Sequence, residues 1–416
     1  MSSSRTAVPS RPHLTSVMYS LPVRRLREIL SRIFPDGSLG TAEEIKSTQL
    51  PRLYILTMSD ERKLMLSFAP SLIIRLLRQE TTILSSEATL VHFIAGSGPR
   101  QSSTESSTDP SGLGPDLTEL KALVPHLLKH SSNNRELAYP YSIYEPIAGD
   151  ALSTLSIYLS IPERRIIDKK IGSMARAMAS LTSPSGTFGT VSRVLPDPFV
   201  AALPTMPITE GSKTWSEGFN SLLEGILRDG EDMAVLLPYE VIRAHYKRLS
   251  WRLDAVTIPR LVVLDIGSET NVLVERGSDE RTSTFATDDI KLTGLRSWGQ
   301  GVFGDPMIAD VFEEPTEGFM EGWREGGEDI IEDAENADVR LLLYRCYRAV
   351  VAIVTEYYRP HSDSSRKELE GRRKLTSILA DFEKIDIEVG DALKRVRSIS
   401  SDGERSKRQR VEENQF

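Results

Sequence analysis

Arg260-Leu261-Val262-Val263-Leu264-Asp265 and Asn271-Val272-Leu273-Val274 are two short apolar runs separated by the polar residues 266–270. Both runs are rich in aliphatic and β-branched side chains, and each has the length of a buried strand. The pattern predicts a strand, a loop and a second strand. Taken alone, Asp265 and Asn271 at the ends of the loop have two interpretations: a catalytic pair, or a loop carboxylate and a turn amide that bonds backbone groups.

The N-terminal part of the chain has the pattern of one helix followed by a strand hairpin. Leu21 to Phe34 places apolar residues at helical spacing and is followed by a Pro-Asp-Gly stop. Leu53 to Met58 and Lys63 to Phe68 are rich in strand formers and flank a polar turn, which predicts an antiparallel hairpin. Leu72 to Ile94 then returns to helical spacing.

The remainder of the chain is predicted to be mainly helical. Residues 96–114 contain much Gly, Ser and Pro and almost no apolar residue, so they predict a surface loop. Leu120 to His130 predicts a short helix, and Tyr139 to Ile147 an extended segment. Beyond Gly149 the helical patterns are Ser156 to Leu181, Trp215 to Arg228, and Met307 to Tyr358.

Composition limits the classes of function. The hydrophobic fraction of 39% and the charged fraction of 26% are typical of folded globular proteins. A net charge of −8 argues against a nucleic-acid partner, because binding phosphates needs an excess of Lys and Arg. The single cysteine, Cys346, excludes an internal disulfide and a multi-thiolate metal site, and its apolar neighbours predict a buried thiol.

The sequence predicts no membrane partner. The most apolar later stretch, Leu341 to Thr355, contains Arg345 and Arg348 and is shorter than the ~20 apolar residues of a membrane helix. The Ser-rich N-terminus has no signal-peptide pattern, so the expected location is the cytoplasm. Ser406-Lys407-Arg408-Gln409-Arg410, in the polar C-terminal tail, is a candidate signal for nuclear import.

The order of these elements resembles a kinase-like fold. The loop from Asp265 to Asn271, then Gly294 to Trp298, then Gly304-Asp305-Pro306 resembles the catalytic loop, metal-binding segment and Gly-Asp-Pro sequence of the aminoglycoside phosphotransferase family. The resemblance covers Leu50 to Tyr358. Three further segments resemble a fungal branch of that family: Leu227 to Met233, Leu237 to Glu240, and Ile242-Arg243.

The resemblance implies an α+β, two-lobed protein-kinase-like fold, with a small antiparallel-sheet N-lobe and a mainly helical C-lobe. The expected organisation is a flexible tail at 1–20, an N-lobe at 21–148 and a C-lobe at 149–394. A flexible insert is expected at 96–118 and a disordered basic and polar tail at 395–416.

The resemblance also implies roles for individual residues. Phosphoryl transfer needs a cation for the nucleotide phosphates, ligands for magnesium and a group that orients the acceptor hydroxyl. An active enzyme of this family would use ATP and Mg²⁺ as cofactors. The matching positions are Asp265 for catalysis, Asn271, Ser297 and Asp305 for metal, and Ser67 and Glu87 for ATP binding. Gly304-Asp305-Pro306 and Asp310 are implied to brace the catalytic loop.

Several positions depart from the family pattern. Val263 replaces a histidine, Ser67 replaces the lysine that meets the phosphates, and Ser297 replaces the magnesium-binding aspartate. Neutral hydroxyls are poor substitutes for those charged groups. Five residues separate Asp265 from Asn271, one more than usual. The hairpin also lacks a glycine-rich phosphate loop, and Gly37 and Gly40 are interpreted as turn residues.

Two hypotheses follow. The first is an ATP-dependent kinase of a small-molecule hydroxyl by ancestry, with a depleted active site and an accessory role in metabolite biosynthesis. The second is a non-catalytic pseudokinase that binds a ligand or a protein partner through the inherited cleft and needs no cofactor. The neutral Ser67 and Ser297 favour the second. Asp265 favours the first, as a residue able to orient an acceptor proton.

Overall fold

The computed structural model describes residues 21–45, 49–97, 117–133, 135–200, 211–277 and 290–385. The predicted tails at 1–20 and 395–416, most of the predicted insert and the basic cluster at 406–410 lie outside the described residues. So does the boundary predicted at residue 394.

A five-stranded antiparallel sheet forms the N-lobe. Its order is β1-β2-β3-β5-β4, and helix α1 precedes it in the chain. Apolar side chains of α1 pack against one face of the sheet and form a separate small core with it. The elements are α1 (Val23–Ile33), β1 (Leu39–Ile45), β2 (Arg52–Met58), β3 (Lys63–Phe68), β4 (Leu127–Ser131) and β5 (Tyr141–Tyr144).

Strand β3 shows how the sheet divides its side chains. Leu64, Leu66 and Phe68 alternate along the strand and are buried against the α1 face. Because side chains alternate between faces, Ser67 points to the opposite face of the sheet, where it is paired in register with Ser142 on β5. The face of the sheet opposite α1 therefore carries small polar side chains at this point.

Helix α2 (Ile83–Gly96) connects the lobes. Its apolar residues Leu90, Val91 and Ile94 belong to the larger core, which the helical lobe supplies. A short helix α3 (Leu117–Leu123) precedes β4 and packs on the helical lobe as well. The first strand of the C-lobe begins at Asp150, six residues after the end of β5 at Tyr144.

The C-lobe is a bundle of helices around a core of aromatic and aliphatic side chains. Helix α5 begins at a capping box in which Ser160 and Glu163 satisfy each other's backbone groups, and Thr214 and Thr316 cap α7 and α9. The helices are α4 (Leu152–Leu155), α5 (Ile161–Ala179), α6 (Val191–Val194), α7 (Trp215–Asp232), α8 (Tyr239–Leu249), α9 (Glu317–Glu325), α10 (Ala337–Tyr358) and α11, which covers 364–385.

Two small antiparallel sheets in the C-lobe hold the central loop. One has the order β10-β9-β6 and the other β7-β11-β8, so the loop between β8 and β9 runs from one sheet to the other. The strands are β6 (Asp150–Ala151), β7 (Gly189–Thr190), β8 (Arg260–Val263), β9 (Val272–Arg276), β10 (Ile290–Leu295) and β11 (Gly301–Gly304).

The architecture confirms the predicted α+β fold of two lobes. The opening helix, the hairpin β2–β3 and the strand–loop–strand β8–β9 also form as predicted. The predicted helix over Leu120 to His130 is wrong in its second half, because Leu127–Ser131 pairs with β5 as an edge strand of the sheet. Gly40 is not a turn residue; it lies in β1, which the sequence patterns did not reveal.

No helix among the described residues combines the length and apolar content needed to cross a bilayer. Cys346 is buried on α10 as predicted, and burial raises the pKa of its thiol to about 12.

Glycines let helices α5 and α9 approach at backbone distance. A Cβ atom at Gly322 would lie 1.8 Å from the backbone oxygen of Lys169, and one at Gly172 would lie 2.1 Å from that of Phe319. Such backbone contacts cannot be relieved by rotating a side chain. The packing of these two helices therefore requires glycine at their crossing.

Replacing Gly322 with alanine should destabilise the protein, because the added methyl separates α5 from α9. Gly225→Ala is the matched control: Gly225 also lies inside a helix, and its Cβ would meet nothing within 4 Å. Chemical denaturation should show a loss of about 1–3 kcal/mol for Gly322→Ala and no loss for Gly225→Ala, where alanine improves helix propensity. Equal stabilities would contradict the described crossing.

Candidate functional site

Asp265 follows β8 directly and is held at the start of the central loop by backbone bonds. The Leu264 N–H donates to the Gln300 carbonyl, and the Leu264 carbonyl accepts from the Asp310 N–H. The side-chain amide of Gln300 donates to Asp265 Oδ2 at 3.1 Å. Asp265 Oδ1 is buried and has no partner among the described residues, so one carboxylate oxygen is left unsatisfied.

Asp310 braces the same loop, in the role that the family resemblance implied. Its Oδ1 accepts a hydrogen bond from the Gly267 N–H at 3.0 Å. Burial raises the pKa of Asp310 to about 6, while the bonds from Gly267 and Val311 act in the opposite direction. The carboxylate therefore shapes the loop from behind and stands close enough to Asp265 to affect its charge.

The environment of Asp265 disfavours its ionised form. Burial, together with the nearby carboxylates of Asp310 and Glu87, raises the pKa of Asp265 to about 7. A carboxyl with a pKa near neutrality can gain and lose a proton at physiological pH, as a general base must. The raised pKa is compatible with the predicted catalytic role of Asp265. It is equally expected for a buried structural carboxyl without a neighbouring cation.

Asn271 and Ser297 lie together and are bonded to each other. Asn271 Oδ1 accepts from the Ser297 N–H at 2.8 Å, and Asn271 Nδ2 donates to the Ser297 carbonyl at 3.1 Å. Asn271 is fully buried. The side-chain amide thus uses its oxygen and its nitrogen to bond the backbone at Ser297. This agrees with the interpretation of Asn271 as a turn amide that bonds backbone groups.

Glu87 reaches the same segment from helix α2. Its Oε1 accepts from the Trp298 N–H at 2.9 Å, and it forms no ion pair with any Lys or Arg of the described residues. Burial raises the pKa of Glu87 to about 7, although the bonds from the Trp298 backbone and the Ser297 hydroxyl lower it. The carboxyl is therefore anchored to the backbone beside Ser297.

Ser67 lies on the face of β3 opposite the α1 core. It is buried, and its Oγ has no hydrogen-bond partner within the described parts of the chain. Without a long cationic side chain at this position, neither Glu87 nor a phosphate group finds a positive partner there.

Asp305 serves the core. Its Oδ2 accepts from Arg340 Nε and from the Tyr344 hydroxyl, both at 2.8 Å, and its Oδ1 accepts from the Met307 N–H at 3.1 Å. The Tyr344 hydroxyl in turn accepts from the indole N–H of Trp215 at 2.7 Å. Asp305 thereby links the end of β11 to α10 and α7.

The residues predicted to bind magnesium do not fit that ion in this arrangement. Mg²⁺ requires several oxygen ligands in near-octahedral geometry. Asn271 Oδ1 is used by a backbone N–H, Ser297 supplies no charge, and Asp305 is bonded to an arginine. Among the described residues no group of three or more His, Cys, Asp or Glu could hold a metal ion.

Sequence patterns did not reveal two members of the site. Gln300, which touches Asp265, lies in Gly299-Gln300-Gly301 and carries no signal of its own. Trp298 was recognised only as part of a longer segment, yet its N–H holds Glu87. Both contacts cross from one segment of the chain to another, so no local spacing predicts them.

Comparison with known proteins places the fold but not the activity. No protein-family model and no curated protein sequence matches the chain. A putative aminoglycoside phosphotransferase from Ralstonia eutropha has a similar structure, with a TM-score of 0.53 and 10% identity over 88% of this chain and 99% of that chain. At this identity the likeness shows the fold alone, which is kinase-like.

Two further solved structures are similar over most of their length. A putative fructosamine-3-kinase from Thermobifida fusca has a TM-score of 0.49 and 15% identity, over 83% of this chain and 98% of that chain. The streptomycin–ATP ternary complex of APH(2″)-IIa has a TM-score of 0.47 and 14% identity, over 86% of this chain and 97% of that chain.

Changing Asp305 to asparagine should destabilise the protein strongly, because it leaves the buried guanidinium of Arg340 without its nearest carboxylate. Loss of one partner of a buried ion pair typically costs about 3–5 kcal/mol. Urea denaturation measures this loss. Asp381→Asn, which removes an exposed pair with Lys384, should change stability by less than about 0.5 kcal/mol; similar losses for both variants would contradict the network.

Glu87→Gln should reduce the dependence of stability on pH. The pKa of Glu87 is raised from 4.5 to about 7 in the fold, so the native state keeps a proton that the unfolded state releases. The contribution of Glu87 is therefore complete below pH 4.5 and is lost as pH rises through about 7. Glutamine keeps the acceptor for Trp298 and does not titrate.

Thermal unfolding between pH 5 and pH 8 tests this expectation, with the variant more stable than the wild type at pH 8 by on the order of 1 kcal/mol. Glu43→Gln, at an exposed position on β1, is the matched control and should follow the wild-type profile. A Glu87→Gln profile parallel to that of the wild type would rule out titration of this buried carboxyl.

Proposed function

We propose that this chain is a kinase-fold protein that binds a small hydroxyl compound beside Asp265 and has lost magnesium-dependent phosphoryl transfer. The observation that carries the proposal is the position of Glu87. In place of a lysine, it bonds the backbone N–H of Trp298, next to the neutral Ser297. The helix α2 is thus held in place without the ion pair that would also bind nucleotide phosphates.

The charges around the cleft support the same proposal. Phosphoryl transfer places several negative charges between the lobes and needs cations to balance them. Glu87, Asp265 and Asp310 instead have raised pKa values, because burial without a paired cation disfavours their ionised forms. The metal roles of Asn271, Ser297 and Asp305 are not carried into this proposal, because each of these residues is bonded elsewhere.

A second candidate function is residual ATP-dependent phosphorylation of the bound hydroxyl compound. Asp265 favours it, since the pKa of about 7 and the oxygen left without a partner suit a group that orients an acceptor proton. This candidate requires Asn271 to exchange its bond with Ser297 for a metal ion. Its cofactors would be ATP and Mg²⁺.

The finer assignments are part of the proposal. They are descent from small-molecule phosphotransferases, membership of the fungal branch, and an accessory role in metabolite biosynthesis. They rest on the segments between Leu227 and Arg243 and on the order of the motifs around Asp265. A protein partner at the cleft remains the alternative occupant. The proposal also places the boundary between the two lobes near residue 148.

Titration of ATP with and without Mg²⁺ tests the loss of catalysis. For the wild type we expect no increase in ATP affinity on addition of Mg²⁺, measured by calorimetry up to millimolar nucleotide. Magnesium-dependent ATP binding together with phosphate transferred to a small alcohol would overturn the proposal and establish the second candidate.

Restoring the missing charges should restore nucleotide binding. Ser67→Lys combined with Ser297→Asp supplies the cation for the phosphates and the carboxylate for the metal, and ATP affinity with Mg²⁺ should rise by about tenfold or more. The control is Ser31→Lys with Ser153→Asp, which makes the same changes of charge at exposed positions. An affinity equal in both double variants would show that Ser67 and Ser297 do not occupy the assigned positions.

A further inference from the structure

A polar groove of about 480 Å³ lies between helix α7, the segment 78–82 before α2, and the segment 189–193 around α6. We call it the arginine groove, because Arg78, Arg193 and Arg228 line it and Glu224 is the one acidic residue among the described residues that line it. Hydroxyl and amide side chains make up much of the remaining wall, including those of Thr82, Ser221 and Asn220. Its volume is within the range that accommodates a small molecule.

The arginine groove leads to the candidate site. A smaller cavity of about 30 Å³ is lined by Leu264, Gln300 and Gly301, next to Asp265. This cavity shares Gln79, Thr82, Thr190 and Leu222 with the groove, so the two are neighbouring parts of one depression. Gln300, on the wall of this cavity, donates to Asp265 Oδ2, so the cavity wall includes the residue that holds the carboxylate. A ligand in the groove would therefore lie beside the cavity that Gln300 lines.

Two of the three arginines, Arg193 and Arg228, form no salt bridge among the described residues. Arg78 bonds the carboxylates of Asp229 and Asp232, and Glu224 is itself bonded by both ends of the Arg243 guanidinium. Arg193 and Arg228 are exposed, and neither has a carboxylate within 4.0 Å among the described residues. The groove is positive on a chain whose net charge is −8, so its charge is a local property.

We infer that the arginine groove binds a small phosphomonoester that also carries a free hydroxyl group. Guanidinium groups form paired, charge-assisted hydrogen bonds with phosphate oxygens, and the three oxygens of a phosphomonoester can satisfy two arginines at once. Neighbouring hydroxyls and the Asn220 amide can complete the bonds to the ligand. The free hydroxyl would then lie toward the cavity that Gln300 lines.

This inference rests on the proposed function and specifies its ligand. The inference also predicts that the groove does not bind polycations. A cationic compound such as streptomycin, which is present in the APH(2″)-IIa complex, would be repelled by Arg193 and Arg228. The site is predicted to prefer anionic ligands even though the protein as a whole repels them.

Calorimetric titration with glycerol 3-phosphate tests the inference, with neutral glycerol as the matched ligand. We expect saturable binding of glycerol 3-phosphate that weakens as salt increases, and no binding of glycerol. Arg193→Gln and Arg228→Gln should each weaken binding by about tenfold, because each removes a charge-assisted contact. Arg27→Gln, on the exposed face of α1, is the control and should leave the affinity unchanged.

The possible outcomes distinguish the inference from the function on which it rests. Equal affinity of the double variant Arg193→Gln/Arg228→Gln and the wild type would overturn the inference. The absence of binding at millimolar glycerol 3-phosphate would also overturn it. Tighter binding of glycerol than of glycerol 3-phosphate would overturn the inference while supporting small-molecule binding. Arginine-dependent binding of glycerol 3-phosphate together with magnesium-dependent phosphoryl transfer would support the inference and overturn the proposed loss of catalysis.

Discussion

The buried ion pair between Asp305 and Arg340 is the contact on which the arrangement of the site depends. Both side chains are shielded from water, and an unpaired charge at this depth would be costly. The bond network therefore requires β11, α10 and α7 to meet at one place, where Tyr344 also accepts from Trp215. Because β11 pairs with β8, the same junction sets the start of the central loop at Asp265.

From that junction, hydrogen bonds carry the geometry outward to the cleft. Asp310 shapes the loop through Gly267, and Asn271 joins the far end of the loop to the segment at Ser297. Trp298 then holds Glu87 and, through it, helix α2. Each link uses a backbone N–H or carbonyl, so none of these links depends on the side chain of Ser67 or Ser297.

The candidate site has opposite electrostatic characters at its two ends. Around Asp265, three buried carboxyl groups have raised pKa values because burial disfavours their charge. In the arginine groove, Arg193 and Arg228 are exposed and positive. A ligand with an anionic end and a hydroxyl end matches both. This complementarity is the physical link between the proposed function and the inferred ligand class.

The sequence alone determined the fold class, the hairpin β2–β3 and the strand–loop–strand around Asp265, because periodicity and motif order are local properties of the chain. It misassigned Leu127–Ser131, where pairing with β5 prevailed over a helical spacing. Only the tertiary structure decided that Asn271 bonds Ser297, that Asp305 serves Arg340 and that Arg193 and Arg228 share a groove. Those residues are far apart in the chain, and packing alone brings them together.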